Sequence, residues 1–325
     1  MLTLAGGKTF VWDNHAGFEL RTAQDLESIS EWKTAGVDFL SINVGYDVRP
    51  WQSAIEALAL ARNWLRRTSG YALVSSVAEI DRAVTAGNMA VAFDIEGANA
   101  LDGRLDMIGF YYDLGVRQMA LAYNVNNIVA GGCHDNDVGL SRFGRDVVAE
   151  MNAVGMIVDC SHCGYRTTLD AIACSREPVI FSHSNSRALR DHERNIWDDQ
   201  AKACADTGGV IGVNGISHFV GDDDVSAASI VDHIEHYLAL VGPKHVGIGL
   251  DHFPQTPEPS GFNDTLVANQ QYWPAAQYPA TGLRCAVPGA LQEVARTLHQ
   301  RGHSEAVISA VLGGNFRRVA SAVWQ

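Results

Sequence analysis

The sequence predicts an α/β protein whose strands close into a (β/α)8 barrel, the TIM-barrel architecture. Three observations lead to this prediction: eight short runs rich in apolar and β-branched residues, stretches of helical periodicity between them, and polar residues directly after nearly every run. Regular alternation of strands and helices favours a parallel sheet with right-handed crossovers. Eight such units are the number that closes a barrel.

The predicted strands are almost continuously apolar, as expected for a parallel sheet that is covered on both faces. They are Thr9–Trp12, Phe39–Val44, Ala90–Ile95, Gln118–Ala122, Met156–Cys160, Val179–Ser182, Val210–Asn214 and Val246–Leu250. The helices predicted between them include Ala23–Ala35, Trp51–Arg67, Val77–Ala86, Gly144–Val154, Thr167–Ser175, Asp199–Thr207 and Ala227–Val241. An open, doubly wound sheet is the alternative fold. That fold normally has a Gly-rich phosphate loop after its first strand, where this chain reads Asp-Asn-His-Ala-Gly.

The remainder of the chain fits one barrel domain spanning residues 1–325. Barrels of this kind often exceed 250 residues, and no low-complexity tract divides the sequence. Residues 254–288 are rich in proline, glycine and aromatic residues and are predicted to form a long loop over the barrel mouth. Two C-terminal helices are predicted after it, Gly289–Arg301 and Ser304–Leu312.

Composition excludes several classes of function. The formal net charge is -13 and the 24 Lys and Arg residues are scattered, so the chain lacks the basic stripe that nucleic-acid binding requires. It has no run of about 18 apolar residues and no export signal, which predicts a cytoplasmic protein without a membrane partner. Its six cysteines are expected to be reduced thiols, because the Cys160–Cys163 pair lacks a second pair or a thioredoxin-like context.

Polar residues follow nearly all of the predicted strands. Because the carboxyl ends of parallel barrel strands meet at one mouth, where catalytic residues of such barrels lie, these side chains are expected to converge. They are Asp13, His15, Asn43, Glu96, Tyr123, Asn124, Ser161, His162, His183, Asn214, Asp251 and His252. His252 would point away from the mouth if the strand stays extended, so it is left out of the predicted site.

The chemistry of this set indicates a metal-dependent hydrolase. Burying the carboxylate of Glu96 is costly unless a cation or a metal ion pairs with it. Imidazoles from three separate strands together with carboxylates suit zinc, and a catalytic zinc keeps one position open for water. Zinc lowers the pKa of that water toward about 7 and polarises a carbonyl, so an amide or ester is the expected substrate. Asp251 is predicted to accept the proton of the water and pass it to the leaving nitrogen.

Motifs along almost the whole chain resemble those of the membrane (renal) dipeptidase family, whose members are amidohydrolase-type barrels. The part from Gly139 to Asn195 is the most specific in motif and spacing. The motifs are Asp13-Asn14-His15, Asp94-Ile95-Glu96-Gly97, Leu121-Ala122-Tyr123-Asn124, Gly139-Leu140-Ser141-Arg142-Phe143-Gly144-Arg145, Met151-Asn152, Gly155-Met156-Ile157-Val158-Asp159-Cys160-Ser161-His162, Phe181-Ser182-His183-Ser184, Arg194-Asn195 and Gly313-Gly314-Asn315-Phe316.

The resemblance implies two zinc ions bridged by a glutamate, cleavage of dipeptides that often carry a D-residue at the C-terminal side, and a homodimer. Residue by residue, it implies that Glu96 is the bridging ligand, that His162 and His183 hold the second metal, and that His15 holds the first. It further implies that Arg194 binds the free carboxylate of the substrate and that Asp251 is the acid/base. A planar guanidinium grips a carboxylate through two parallel hydrogen bonds, which suits that role. Asn124 and Asn214, at two further strand ends, are also expected to contact substrate.

The sequence departs from the family around the mouth. Gly17 stands where the family has the aspartate of a His-x-Asp motif, so the first metal would keep only His15 and Glu96 unless Asp13, Glu19 or water substitutes. The prediction is therefore one complete zinc site and an incomplete second one. Tyr123 replaces the histidine that steadies the tetrahedral intermediate, and a phenol can also donate a hydrogen bond to an oxyanion. The loop after Asp251 reads His-Phe-Pro rather than the more usual aromatic-Asp-Gly.

Three functions remain open from the sequence alone. The first is a zinc-dependent hydrolase of dipeptides or similar small amides that carry a free carboxylate. The second keeps this chemistry but acts on an N-acyl amino acid, a lactam or a lactone. The third is a catalytically impaired member of the family that binds a ligand, which the changes at Gly17 and Tyr123 favour.

Overall fold

A ring of parallel strands forms the centre of the molecule. The computed structural model describes residues 3–4, 7–254, 262–279 and 282–325. Its strands are β1 (Thr3–Leu4), β2 (Gly7–Lys8), β3 (Trp12–Ala16), β4 (Phe39–Tyr46), β5 (Tyr71–Leu73), β6 (Met89–Glu96), β7 (Val116–Ala120), β8 (Ile157–Asp159), β9 (Ile211–Val213) and β10 (Val246–Ile248). Strands β3, β4, β6, β7 and β8 pair in this order, and all four pairings are parallel.

The ring closes through single bridges rather than through long strands. Residues Ile180 and Phe181 take the sixth position, with Ile180 bridging to β8 and Phe181 bridging to β9. Strand β9 pairs in parallel with β10, and His252 then bridges to Ala16 of β3. The eight-membered parallel ring predicted from the sequence is therefore confirmed as a (β/α)8 barrel of the metal-dependent hydrolase type.

Helices surround the ring in the expected alternation. They are α1 (Ser30–Ala35), α2 (Gln52–Arg67), α3 (Val77–Thr85), α4 (Asp106–Asp113), α5 (Arg142–Val154), α6 (Tyr165–Cys174), α7 (Asp198–Asp206), α8 (Ser217–Val220), α9 (Ala227–Val241), α10 (Phe262–Ala268), α11 (Ala290–Gln300), α12 (Glu305–Ser309) and α13 (Asn315–Val323). A 3₁₀ helix, Ala23–Ile29, precedes α1, another covers Ala98–Leu101, and a π-helical turn, Ala310–Gly314, joins α12 to α13. None of the described helices has both the length and the apolar character needed to cross a bilayer.

The first strand was predicted wrongly. It was expected at Thr9–Trp12, but it runs from Trp12 to Ala16. Polar residues inside this strand hid it, since Asp13 and His15 are both buried and hydrogen-bonded rather than exposed. Asp13 accepts hydrogen bonds from the indole of Trp32 and from the backbone N–H of Leu250.

The C-terminal helices extend further than predicted. The second was expected to end at Leu312, but the π-helical turn carries the chain on into α13. Gly313 lies within this turn, where a Cβ would lie 3.0 Å from Phe10 and 3.1 Å from Trp12. The glycine therefore allows this turn to pack closely against Phe10 and Trp12. The indole of Trp12 in turn stacks on Phe39, with a centroid distance of 3.6 Å.

The segment after β10 lies across the barrel mouth where it is described. Of the loop predicted at about 254–288, residues 255–261, 280 and 281 lie outside the described residues, and α10 occupies part of the rest. We call residues 272–278 the covering segment. The backbone carbonyl of Tyr272 accepts a hydrogen bond from Asn124 at 3.0 Å, and the Tyr278 hydroxyl lies 2.7 Å from Nε2 of His134. These contacts tie the covering segment to the loops above the strands.

Candidate metal centre

Three imidazoles and two carboxylates meet at the carboxyl-terminal end of the ring. His15 lies on β3, Glu96 ends β6, and His162, His183 and Asp251 follow three further ring positions. Oε1 of Glu96 lies 2.9 Å from Nε2 of His162, 3.1 Å from Nε2 of His183 and 3.5 Å from Nε2 of His15. The Asp251 carboxylate lies 3.6 Å from Nε2 of His15 and 4.0 Å from Nε2 of His183. The structure thus brings together all five residues that the sequence predicted for the centre.

Unusual backbone conformations accompany three residues of this region. His162 has φ of 66°, Asp251 has φ of 58°, and Asn124 has φ of 61°. Residues other than glycine rarely adopt this left-handed backbone conformation, and those that do are often found at active sites. Each of these residues comes at or just after the end of a strand, so the sharp turn directs the chain away from the barrel immediately after the functional side chain.

Polar partners fix the orientation of His15 and His162. Nδ1 of His15 lies 3.1 Å from the carboxylate of Asp94, and Nδ1 of His162 lies 2.7 Å from Oδ1 of Asn124. The Asn124 amide nitrogen donates to the covering segment, so its oxygen is the atom that faces His162. His162 therefore carries its proton on Nδ1 and presents the lone pair of Nε2 to the centre.

His183 is oriented through a serine. Its Nδ1 lies 2.6 Å from Oγ of Ser182, and that hydroxyl donates to the carboxylate of Asp159. Because the serine proton is used on Asp159, Ser182 accepts the proton of His183 Nδ1. The Nε2 atom of His183 is therefore unprotonated as well. The sequence analysis did not predict Asp94, Asp159 and Ser182 as site residues. Asp94 could have been found, because alternate residues of a strand face the same side, so Asp94 and Glu96 of β6 point the same way.

The electrostatics of the centre favour a bound cation. Burial keeps the pKa of His162 and of His183 well below the usual range, and the positive charges of Arg194 and His15 add to this effect. Burial also raises the pKa of Glu96 to about 8 and raises that of Asp251. His15 is the exception: burial opposes its charge, but the carboxylates of Asp94 and Glu96 raise its pKa to about 10. A cation at the centre would offset this cost of burial, because it stabilises the deprotonated carboxylates and the neutral imidazoles that bind it.

These donors fit a divalent metal ion. The Nε2 atoms of His162 and His183 lie 3.0 Å apart, and both present lone pairs, an arrangement that is repulsive unless a cation lies between the donors and Glu96. Donor atoms of His15, Glu96 and His183 all lie within 4.8 Å of one another. Imidazole nitrogen and carboxylate oxygen are ligands that zinc accepts. The outer partners on Nδ1 are the kind that hold metal-binding histidines in place.

The side chain at position 17 does not complete a second set of ligands. Gly17 lies in the wall of the cavity above the centre, where a Cβ would lie 3.3 Å from Cβ of Phe253. The substitutes considered from the sequence are engaged elsewhere. Asp13 is bound by Trp32 and Leu250, and Glu19 accepts hydrogen bonds from the hydroxyl of Tyr46 at 2.8 Å and from Arg49 at 2.7 Å.

Tyr123 contacts His162, whereas Arg194 contacts His183 and is not among the described residues that line the cavity. The Tyr123 ring stacks on His162 with a centroid distance of 4.1 Å and lines the cavity. Arg194 is 2% exposed, and it donates from Nη1 to Ser184 at 3.0 Å and from Nη2 to the backbone carbonyl of His183 at 2.8 Å. Its Nε has no hydrogen-bond partner among the described residues. Arg194 is thus a buried cation rather than a solvated surface residue.

The side chains of Asn124 and Asn214, which were predicted to contact substrate, are hydrogen-bonded to protein groups. Asn124 links His162 to the covering segment. Oδ1 of Asn214 accepts from the side chain of Asn185 and from the backbone N–H of Ile216. Both residues therefore position their neighbours.

The cysteine prediction holds, since all six cysteines lie in the described part of the chain and are free thiols.

The family model for membrane dipeptidases, peptidase family M19, matches residues 19–270. The chain belongs to this family. An uncharacterized dipeptidase of Schizosaccharomyces pombe is 39% identical over 189 residues, which are 55% of this chain and 45% of that protein. The matched regions span about half the length of the curated relatives, 43% to 54%.

Solved structures of similar fold cover nearly the whole chain. An amidohydrolase of Pseudomonas aeruginosa is 27% identical, with a TM-score of 0.89 over 97% of each chain. A metallopeptidase of Rhodobacter sphaeroides, solved with a phosphinate mimic of the dipeptide L-Ala-D-Ala, is 18% identical with a TM-score of 0.79 over 98% of this chain and 100% of that one. At this identity the second structure shows the shared fold alone.

Proposed function

We propose that this member of the M19 family is a zinc-dependent hydrolase of dipeptides, or of similar small amides that carry a free carboxylate. The observation that carries the proposal is the convergence of three imidazole Nε2 atoms within 3.5 Å of one carboxylate oxygen of Glu96. The dipeptide mimic bound to the related metallopeptidase supports a dipeptide, with a D-residue at its C-terminal side, as the substrate.

His162, His183 and Glu96 are the residues that we assign to one complete zinc site. When bound, zinc supplies a Lewis acid for the scissile carbonyl and lowers the pKa of water toward about 7. His15 and Asp251 flank this set, but Gly17 contributes no ligand there. We therefore propose one tightly held zinc per chain.

Asp251 is assigned as the acid/base. Its carboxylate lies beside the imidazoles of His15 and His183, and burial raises its pKa, so it exchanges protons more readily near neutral pH than an exposed aspartate. It accepts one proton from the attacking water as the new C–O bond forms. It then returns a proton to the leaving nitrogen as the C–N bond breaks, and the carboxylate is restored.

Tyr123 is assigned as the donor to the developing oxyanion. Its ring lies against His162 in the cavity wall, and burial raises its pKa well above the usual value, so the phenol keeps its proton. A proton that stays on the phenol is available for a hydrogen bond to the carbonyl oxygen of the substrate as that oxygen gains charge.

Arg194 is assigned to the carboxylate of the substrate. Two of its N–H groups are used by Ser184 and His183, which leaves Nε–H and one N–H on each Nη as donors. A buried donor without a partner costs free energy, and a carboxylate would remove that cost.

The proposal further includes a cytoplasmic location and a homodimer, the latter tested by light scattering on the purified protein.

The test is hydrolysis of a panel of L,L and L,D dipeptides by the zinc-loaded protein, before and after chelation. We expect cleavage that chelation abolishes and zinc restores, and loss of cleavage in Glu96→Gln. Arg194→Ala should impair only substrates with a free carboxylate, so equal loss on the corresponding amides would contradict its role. Turnover that persists in the chelated protein would refute the proposed function.

A further inference from the structure

The cavity above the metal centre has a largely apolar wall. Among the described residues, side chains from five separate regions of the chain form it: Phe18, Ile216, Phe219, Phe253, Trp273 and Leu283. All six are buried or nearly so, with exposures between 1% and 9%. Such a wall lies directly against the groups assigned to catalysis, since Tyr123, Glu96 and Asp251 line the same cavity.

The covering segment supplies aromatic surface in fixed positions. The ring of Trp273 meets that of Tyr123 edge-on, with a centroid distance of 5.8 Å and an interplanar angle of 78°. The hydroxyl of Tyr278 is taken up by His134, which is itself held by Glu193 at 3.0 Å. Tyr278 therefore presents its ring to the cavity while its polar atom is satisfied elsewhere. These side chains are held by packing and hydrogen bonds, so the apolar surface is preformed.

Among the described residues, three acidic side chains line the cavity together with His15, the imidazole of the centre whose pKa is raised to about 10. Glu96 and Asp251 belong to the centre, and Glu19 at the rim is neutralised by Arg49 at 2.7 Å and Arg21 at 3.0 Å. No lysine or arginine is among the described lining residues. A negatively charged substrate side chain packed against the apolar wall would therefore find no lysine or arginine beside it among the described lining residues.

We propose that the site selects substrates whose side chain next to the scissile bond is large, apolar and uncharged. This inference rests on the proposed hydrolase function and names its substrate class. Burying an apolar side chain of the size of Leu or Phe against such a wall is favourable, whereas an acidic group would lose its hydration against the same apolar surface. A lysine side chain would also lose its hydration, because the one acidic group at the rim is already paired.

The first test measures kcat/KM for two series of dipeptides, X-Gly and Gly-X, with X as Gly, Leu, Phe, Asp or Lys, including D-forms of X in the second series. In at least one series we expect Leu and Phe to exceed Gly by roughly 10- to 100-fold, and Asp and Lys to fall below Gly. Cleavage without any dependence on X, or a preference for Asp or Lys, would overturn this inference and leave the hydrolase function standing. Absence of cleavage throughout would overturn both.

The second test changes the charge of the wall. Leu283→Arg should lower kcat/KM for the Leu and Phe substrates by about tenfold and raise it for the Asp substrate. Leu189→Arg is the matched control, because Leu189 is 49% exposed and lies outside the cavity. An unchanged substrate order in folded Leu283→Arg protein would contradict the assignment of this wall. If Leu283→Arg does not fold, as judged by circular dichroism, the substrate series on the unmodified protein decides.

Discussion

Nε2 of His162 lies 3.0 Å from Nε2 of His183, and the hydrogen-bond partners of the two rings favour neutral tautomers with the proton on Nδ1. The proton of each ring is held at Nδ1, by Asn124 in one case and by Ser182 in the other. A cation bound by both nitrogens and by Glu96 would remove the repulsion between the two lone pairs. The hydrogen bonds outside the centre therefore orient its ligands for a metal ion. Their removal should lower the affinity for the metal more than it lowers the stability of the fold.

Ser182→Ala tests this preparation. It removes the hydroxyl between His183 and Asp159, so the ring of His183 is free to rotate or change tautomer. We expect a loss of zinc affinity of about 10- to 100-fold, measured by competition with a chromophoric chelator. The control is Ser186→Ala, because Ser186 is also fully buried and its hydroxyl accepts from the backbone N–H of Ala188, away from the centre. Equal affinities in the two variants would rule out an orienting role.

Tyr123→Phe tests the oxyanion donor. The ring remains stacked on His162 while the hydroxyl is lost, so kcat should fall by about 100-fold with little change in KM. Tyr111→Phe serves as the control, since Tyr111 is buried far from the cavity and donates to the backbone carbonyl of Ala100. Steady-state kinetics with a cleaved dipeptide distinguish the two variants. An unchanged kcat in Tyr123→Phe would remove the tyrosine from the mechanism.

Gly17→Asp tests the incomplete second metal site. A carboxylate at this position adds an oxygen ligand beside His15, and the new Cβ needs only a small shift of Phe253, 3.3 Å away. We expect metal content measured by mass spectrometry to rise from about one toward two zinc ions per chain. Gly17→Asn has nearly the same shape without the charge and should stay near one. Two full equivalents in the unmodified protein would show that Gly17 does not limit metal binding.

Asn315→Ala tests the attachment of the C-terminal helix. The amide of Asn315 donates to the backbone carbonyls of Pro243 and Val246, both at 2.7 Å, and so ties α13 to β10. Leaving these carbonyls unpaired should lower the free energy of unfolding by about 1–3 kcal/mol. Urea unfolding measures the change. Because the amide lies beneath the ring, zinc affinity should stay the same, and a large loss of zinc would contradict this separation.

The fold was predictable from sequence because its signals are local. Most predicted helices have ends that differ by no more than two residues from those observed, as for α3 and α5. Strand β3 was misplaced because Asp13 and His15 are polar, and only the folded chain provides the partners that make their burial tolerable. Hydrophobic periodicity has no means of detecting such pairing.

Local sequence signals predicted only part of the site. Strand ends identify Glu96, His162, His183 and Asp251, because in a parallel barrel every strand end faces the mouth. Which of two polar neighbours contacts the centre depends on turns that sequence does not specify. Asn124, with its left-handed backbone, contacts Nδ1 of His162 through its side-chain oxygen, a contact that the sequence alone did not predict.

The most direct test of the metal centre is a zinc titration of chelator-stripped protein by isothermal calorimetry, with His183→Ala as the comparison. We expect saturable binding of about one zinc ion per chain, with a much lower zinc affinity in His183→Ala. Absence of saturable binding, or equal binding in both proteins, would contradict a zinc site at Glu96, His162 and His183.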